Sequence, residues 1–408
     1  ILGCSGCAEE EGTPTPVITT TPAITPTPAI TPTPVITPTP VDYIKMGGSL
    51  PLSGLAAYLG DSCQKAIDLV IEEFNDAGGI VIDGVQYLID MTWTDDAYNP
   101  VTGAMNVDKL IYEDEVGYLI GLFGSTLAAG SGTISENDVL VTTTATGGED
   151  VINADTPYYF RPYWGPTETG YDAMRWVIDN YGTQRFAILQ MESPSGVVIN
   201  NYFEEVCEEM GVETFIEYFS YGVTDYYPML TSLLAHDPDL FFLGPTMLAQ
   251  AQELGYTGLA CCLLTTANVQ YTVGAAGVEG TEGYLMSNNI YWEANSETID
   301  FHDRYVAKYG GYDEQALSWV PLIEAVIQGI SKAQSVDPID VMNALDAMAE
   351  AGEPIHLPVG DCYWAGADRY GGPAHQLVGP IYMMDIHNGE ARLLDTLPPP
   401  TEEDLSPL

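Results

Sequence analysis

Short apolar runs alternate with helix-spaced stretches along this chain, and the alternation runs through two separate arrays. In the first, 44–50 reads as a strand and 62–77 as a helix whose Ala66, Leu69, Val70 and Phe74 share one face. Gly78-Gly79 stops that helix. Asp83-Gly84, between the apolar runs of 81–91, is a two-residue hairpin signal. Asn99-Pro100 caps and opens a second helix, to about Ile111, and strands follow at 118–123 and 139–141. After Tyr158-Tyr159-Phe160-Arg161-Pro162 the alternation starts afresh. Helices over 167–180, 197–210, 226–234 and 247–254 separate strands at 186–190, 214–219, 240–243 and 259–264. A strand-like 283–290 comes next, then helices at 296–309, at 317–333 and from Asp337-Pro338 to about Glu350, and a last strand at 376–386. Two such arrays predict an α/β fold of two doubly wound lobes, each built on a mostly parallel sheet.

One strand ends in a way that matters chemically. The apolar run 118–123 stops at Gly124, and Ser125, Thr126 and small residues follow. Strand, glycine, hydroxyl and helix start is how an open α/β sheet forms a ligand crevice at the carboxyl ends of its strands. Free N–H groups at the helix start, with hydroxyls beside them, suit a carboxylate or similar anion. A capped strand-to-helix turn is the plainer reading of the same residues.

The 58 acidic and 11 basic residues give a net charge of −47, which argues against nucleic acid and against an anionic membrane surface as partners. Self-repulsion on this scale is screened in high salt. No apolar run reaches the roughly 18 residues needed to span a bilayer. Residues 1–12 begin Ile1-Leu2-Gly3-Cys4 and read as the lipobox-like end of a processed signal peptide, with Cys4, or Cys7 by the same Ser-Gly-Cys logic, as the lipidated residue. A Cys-x-x-Cys metal or redox pair is the alternative. Residues 13–41 are Thr/Pro-rich repeats and predict an extended spacer that forms neither helix nor central strand. The stretch 398–408 is a Pro-rich acidic tail, expected to be disordered. Five cysteines remain in the body, and core packing is their default role; a bridge from Cys207 to Cys261 or Cys262 stays open.

The order of motifs resembles the branched-chain amino-acid type of solute-binding protein (periplasmic-binding-protein type I), the ligand-capturing component of an ABC importer. The resemblance covers about 43–394. It rests on Ile44-Lys45-Met46-Gly47 with Pro51-Leu52-Ser53-Gly54, on Gly60-Asp61, and on Ala66-Ile67-Asp68-Leu69. Glu72-Glu73-Phe74-Asn75, Ala77-Gly78-Gly79-Ile80 and the acidic pair Asp95-Asp96 continue it. Thr224-Asp225-Tyr226-Tyr227, His375-Gln376-Leu377 and Pro380-Ile381-Tyr382 close it. It implies two lobes joined by crossover strands that close on a ligand by hinge motion. Their boundaries are expected at 42–163 with 288–358 for lobe 1, and 164–287 with 359–397 for lobe 2.

The resemblance also implies site residues. Ser125 and Thr126, then Thr144, Ala145 and Thr146, stand where the family holds the ligand's carboxylate with hydroxyls and backbone N–H groups. Elsewhere this chain departs from the pattern. Leu59 replaces a frequent aromatic before Gly60, and Ser195 replaces a Tyr before Gly196. Thr265 and Thr266 stand where an acidic residue meets the ligand's ammonium. A buried ammonium without a partner is costly. So either the ligand is not an α-amino acid, or another carboxylate takes over. Glu192 is the nearest such residue, a solvated surface carboxylate being its plainer role. Tyr163 and Trp164 follow the first crossover, suited to stacking on an apolar ligand or to hinge packing.

These features imply an extracytoplasmic, cell-surface, lipid-anchored binding protein. It captures a small ligand (an amino acid, amide or short carboxylate) and delivers it to an ABC permease. The competing reading is a self-assembling surface or filament protein that kept the fold and altered the site. An enzyme is not expected, since the chain has no His-Glu-x-x-His, Gly-x-Ser-x-Gly or P-loop pattern, and no cofactor or metal is implied.

Overall fold

The computed structural model describes residues 40–54, 56–145, 151–220, 222–264 and 269–405; the side chains of residues 166, 167, 194, 195 and 403 fall outside that description. Cys4, Cys7 and the Thr/Pro-rich spacer up to residue 39 lie outside it as well.

The first sheet is built from β1 (Val41–Leu50), β2 (Ile80–Ile82), β3 (Val85–Asp95), β4 (Tyr118–Leu122), β5 (Leu140–Thr143) and β6 (Tyr159–Phe160), in the order β2-β3-β1-β4-β5-β6. Every pairing is parallel except the β2–β3 hairpin. That hairpin turns through Asp83 and Gly84, with φ of 50° and 81°. Positive φ at both positions matches the right-handed twist of the flanking strands, and glycine adopts it without penalty. Helices α1 (Ala57–Asp76), α2 (Pro100–Tyr112) and α3 (Gly124–Glu136) follow β1, β3 and β4. Asn99 caps α2 by accepting from the Val101 and Thr102 amides at 2.9 and 3.1 Å, as the Asn-Pro pair predicts.

The second sheet repeats this plan. Its parallel strands β7 (Arg185–Met191), β8 (Glu213–Phe219), β9 (Leu240–Phe242), β10 (Leu259–Cys262) and β11 (Leu285–Asn288) lie in the order β8-β7-β9-β10-β11. A small three-stranded sheet, β12 (Ile355–Leu357), β13 (Gly360–Ala365) and β14 (Gln376–Val378), comes later in the chain. β15 (Ile381–His387) and β16 (Glu390–Leu397) then add to the second sheet in antiparallel sense. The fold is therefore α/β, with two doubly wound sheets. In the first, β1 lies between β3 and β4, and in the second β7 lies between β8 and β9, so each has one point where the winding reverses.

Each sheet has its own apolar core. Met46, Ile67, Ile120 and Phe160 meet Leu322 and Val326 in the first, and Ile188, Phe203, Phe241 and Met286 meet Ile381 and Met383 in the second. β13 and β14 bury Cys362, Trp364 and Leu377 in the first core. The chain passes between the cores three times, and two of these passages are bonded side by side. The Arg161 amide donates to the His375 carbonyl at 2.8 Å, and the Leu377 amide donates to the Arg161 carbonyl at 3.0 Å.

Three expectations need correction. The predicted helix over 317–333 is broken into Ala316–Trp319 and Pro321–Ala333, because Pro321 has no N–H to donate and crowds the turn before it. The predicted strand over 376–386 is split at Gly379-Pro380, where the chain leaves β14 for β15. A Cβ at Gly379 would lie 2.5 Å from the Trp164 ring and 2.7 Å from the Cys362 sulfur, so the crossing needs glycine. The acidic tail, expected to be disordered, forms the helix Glu402–Leu405, and Leu405 is fully buried. The body's five thiols are all free, including Cys207, Cys261 and Cys262.

Candidate functional site

In a doubly wound sheet the crevice lies at the carboxyl ends of the strands, where the winding reverses. In the first sheet that point is between β1 and β4. A cavity of about 360 Å³ opens there, bounded by Phe123, Gly124 and Ser125 after β4 and by Thr144 and Ala145 after β5. Leu59 from α1 and Tyr98 from the turn before α2 form one side. Tyr163, from the first passage between lobes, faces Gln315, Ser318 and Trp319. The volume falls in the range of small-molecule sites.

The floor of this cavity is the start of α3. Its N-cap is Phe123, which has no side-chain acceptor, and the first intrahelical bond runs from the Leu127 amide to the Phe123 carbonyl. The amides of Gly124, Ser125 and Thr126 therefore precede any acceptor in the helix. The Ser125 hydroxyl is out of solvent and has no hydrogen-bond partner among the described residues. Open amides, a hydroxyl without a described partner and the positive end of the helix dipole are the features that suit an oxyanion.

The walls are aromatic. Tyr163 and Trp319 stack with planes 13° apart and centroids 5.9 Å apart, Phe123 leans on Trp319 at 6.0 Å, and Tyr98 meets Phe123 edge-on at 6.5 Å. Sequence reading missed Tyr98, Phe123, Gln315, Ser318 and Trp319. Tyr98 alone left a signal, standing two residues after the acidic pair. That pair is structural here. Asp95 accepts from the amides of Leu52, Ser53 and Ala97 at 2.8–3.2 Å; the Ser53 side chain, then these amides, hold its carboxyl below the usual range. Asp96 is buried and accepts from the Tyr98 amide at 2.8 Å. The two carboxylates hold Ala97 and Tyr98 at φ of 50° and 59°, a strained left-handed pair that presents the Tyr98 ring to the cavity.

Of the residues read from the sequence, Leu59, Ser125, Thr144 and Ala145 line this cavity together. Thr126 does not. It is buried, and its hydroxyl donates to Asp96 at 2.7 Å. The Thr144 amide donates to the Leu122 carbonyl at 3.3 Å and the Ala145 amide to the Thr143 hydroxyl at 3.0 Å. Those two N–H groups, implied as ligand donors, are thus used within the fold, and the open donors are at the start of α3. Thr146 and Thr266 lie outside the described residues, as does the Ser195 side chain. Trp164 is buried and donates to the Pro380 carbonyl at 3.2 Å, a packing role. Glu192 is exposed.

The second sheet carries a cavity of its own at the carboxyl ends of β7, β9 and β10. It has a volume of about 280 Å³ and is lined by Gln190, Phe242, Met247, Cys262, Tyr271 and Tyr284 among others. Burial pushes the Cys262 thiol up to about 11, so it is neutral.

A buried ion pair braces the first cavity from behind. Arg161 is fully buried between Glu168, with which it pairs, and Gln376, and it donates to the Ala145 carbonyl at 3.1 Å. Tyr370 donates to the same Glu168 carboxylate at 2.9 Å. The coulombic attraction of Glu168 keeps the guanidinium charged against strong desolvation.

A family model described as a periplasmic binding protein matches residues 43–391. A Leu/Ile/Val-binding protein homolog from Brucella abortus is 24% identical over 359 residues, 85% of this chain and 91% of the relative. Among solved structures, a leucine-binding protein from Thermotoga maritima superposes with a TM-score of 0.72 at 18% identity, covering 87% of this chain and 99% of that one. A solute-binding protein from R. palustris in complex with benzoate superposes with a TM-score of 0.70 at 17% identity, covering 89% and 99%.

Proposed function

Because this chain belongs to the periplasmic-binding-protein family, we propose that it captures a small carboxylate-bearing solute outside the cytoplasm and delivers it to an ABC permease. Amino acids, amides and short carboxylates are the classes to test. The observation that carries this reading is the start of α3, with its open Gly124 and Ser125 amides and the unpaired Ser125 hydroxyl on the floor of a cavity at the sheet's reversal point. The second cavity, at the carboxyl ends of the other sheet, supplies the opposing surface when the lobes close. In the same reading, lipid on Cys4 or Cys7 tethers the protein and the spacer 13–41 carries its body clear of the membrane.

The test is a thermal-shift screen of the full chain against those three classes, read alongside tryptophan fluorescence. A ligand that binds only the folded form raises the melting temperature, and Trp319 in the cavity wall reports occupancy. Trp319→Phe serves as the control for that signal. A screen that moves neither readout removes the solute-binding reading in favour of a structural role.

A further inference from the structure

We propose that His375 is a structural imidazolium, carrying both ring protons, and that it makes the connection between the lobes sensitive to alkaline pH. The residue is 1% exposed and lies where two of the three passages between the lobes run side by side. Its Nδ1 is 2.9 Å from the Tyr159 carbonyl oxygen. Its Nε2 is 2.7 Å from a carboxylate oxygen of Asp346, on the helix Pro338–Ala351. A carbonyl and a carboxylate both offer lone pairs and no proton. A neutral imidazole donates through one nitrogen and presents a lone pair at the other, so either tautomer would set two lone pairs face to face. The doubly protonated ring donates to both partners. A neutral ring beside a protonated Asp346 would make the same two contacts, but the Asp346 side chain is 36% exposed, and water there solvates a carboxylate.

The neighbouring polar groups are turned elsewhere. Arg161, whose amide donates to the His375 carbonyl at 2.8 Å, sends its guanidinium to Glu168, Gln376 and the Ala145 carbonyl. Tyr159 places its own ring in the separate apolar cluster of Leu119 and Val141. Phe160 stacks on the imidazole with centroids 3.8 Å apart, and Trp364 of β13 meets Phe160 edge-on at 5.3 Å. Asp346 is therefore the counter-ion. Tyr159 stands at the start of one passage, His375 is part of the other, and Asp346 belongs to a helix packed on the first core. Two charge-assisted bonds from one ring fasten all three together. Loss of a proton from the ring turns one of those bonds into a contact between lone pairs. A ring that holds its second proton in the native state stabilises the connection fully below the ordinary histidine value of about 6.5. Above it the opened chain sheds that proton and the native chain does not, so the stabilisation falls as the pH rises.

The first experiment is nitrogen NMR of the imidazole rings in the full chain at pH 7.5, where protonated and bare ring nitrogens resonate far apart. The chain has five histidines. Glutamine substitution of His236, His302, His356 and His387 in turn identifies their signals and leaves His375 untouched. The expected result is a proton on both nitrogens of His375. One protonated and one bare nitrogen overturns the proposal, whether Asp346 has taken the proton or one bond is broken. The second experiment uses Asp346→Asn, whose amide can donate to an Nε2 lone pair, so that a neutral ring keeps both contacts and the connection loses its pH response. Hydrogen exchange at the Arg161 and Leu377 amides, which bond the two passages, reads that response. From pH 6 to pH 8.5 their protection should fall about tenfold in the wild type and by less than about twofold in Asp346→Asn. An equal fall in the two proteins overturns the switch. The NMR result on the wild-type ring decides the charge even if the variant does not fold.

Discussion

The Asp96 carboxylate accepts the Thr126 hydroxyl at 2.7 Å, and both groups are buried. The same carboxylate accepts from Ser49 at the end of β1 at 3.2 Å and from the Tyr98 amide at 2.8 Å. One side chain thus ties together the end of the central strand, the start of α3 and the turn that carries Tyr98. Thr126 is a strut for the cavity, although its sequence neighbour Ser125 lines it. Thr126→Val keeps the shape and leaves Asp96 short of one donor, so it should cost about 1–3 kcal/mol in urea unfolding. Thr126→Ser keeps the hydroxyl and should recover most of that loss. A loss in Thr126→Ser with none in Thr126→Val would mean that the methyl group packed against Gly103, and not the bond to Asp96, is what matters.

Asp172 gives a pH dependence whose sign can be worked out. Burial first, then repulsion from Asp404, raises its carboxyl from the ordinary 3.8 to about 6, with Arg175 at 3.6 Å opposing. Above pH 6 the native state holds it ionised at a cost. As the pH falls through about 6, the native carboxyl takes up a proton that the unfolded chain does not take up until near 3.8, and the cost is relieved. Asp172→Asn should therefore raise stability at pH 7.5, by about 1–2 kcal/mol after allowance for its partial exposure. That gain should disappear by pH 4. A gain that did not change with pH would assign the effect to packing.

The lobes were legible because their signals are local. Asn99-Pro100, Asp83-Gly84 and Gly78-Gly79 mark boundaries through backbone chemistry that needs no tertiary partner, and the structure places a cap, a turn and a stop at those residues. The misses arose where tertiary contacts decide. Residues 317–333 have helical spacing throughout, yet Pro321 breaks them and Trp319 comes to rest in the cavity wall. The sequence 376–386 is apolar enough for one strand, but its two halves belong to different sheets. The site was half legible for the same reason. Ser125 follows a strand end and could be found from its neighbours in sequence, whereas Gln315, Ser318 and Trp319 reach the cavity from nearly 200 positions away.

The charge of −47 predicts a salt response. With 11 basic residues against 58 acidic ones, most carboxylates have no cation to pair with, and repulsion between them opposes the compact state. Raising KCl from 0.1 to 2 M cuts the screening length from about 10 Å to under 3 Å. The melting temperature should rise over that range and then level off. A flat or falling curve would show that surface repulsion is not a significant load on this fold.

The C-terminal helix makes the last prediction, through its contacts with the passage between lobes. Leu405 is fully buried beside Ala365 and Val378, and its carbonyl accepts from Arg369 at 2.6 Å. Glu402 accepts from the amides of Gly366 and Asp368 at 2.6 and 2.7 Å, fastening the tail to the turn next to Tyr370. Leu405→Ala should cost about 2–4 kcal/mol, the usual loss for a fully buried leucine. Deleting residues 401–408 should cost at least as much at pH 4.5. At pH 7.5 the deletion also removes Asp404, whose charge opposes ionisation of Asp172. The loss on deletion should therefore be smaller at pH 7.5 than at pH 4.5, and Asp172→Asn should abolish that difference. Chemical denaturation of the four proteins (full length, deletion, Asp172→Asn, and both) at the two pH values measures the coupling directly. A deletion cost independent of pH would mean that the tail carboxylate does not reach Asp172 in solution.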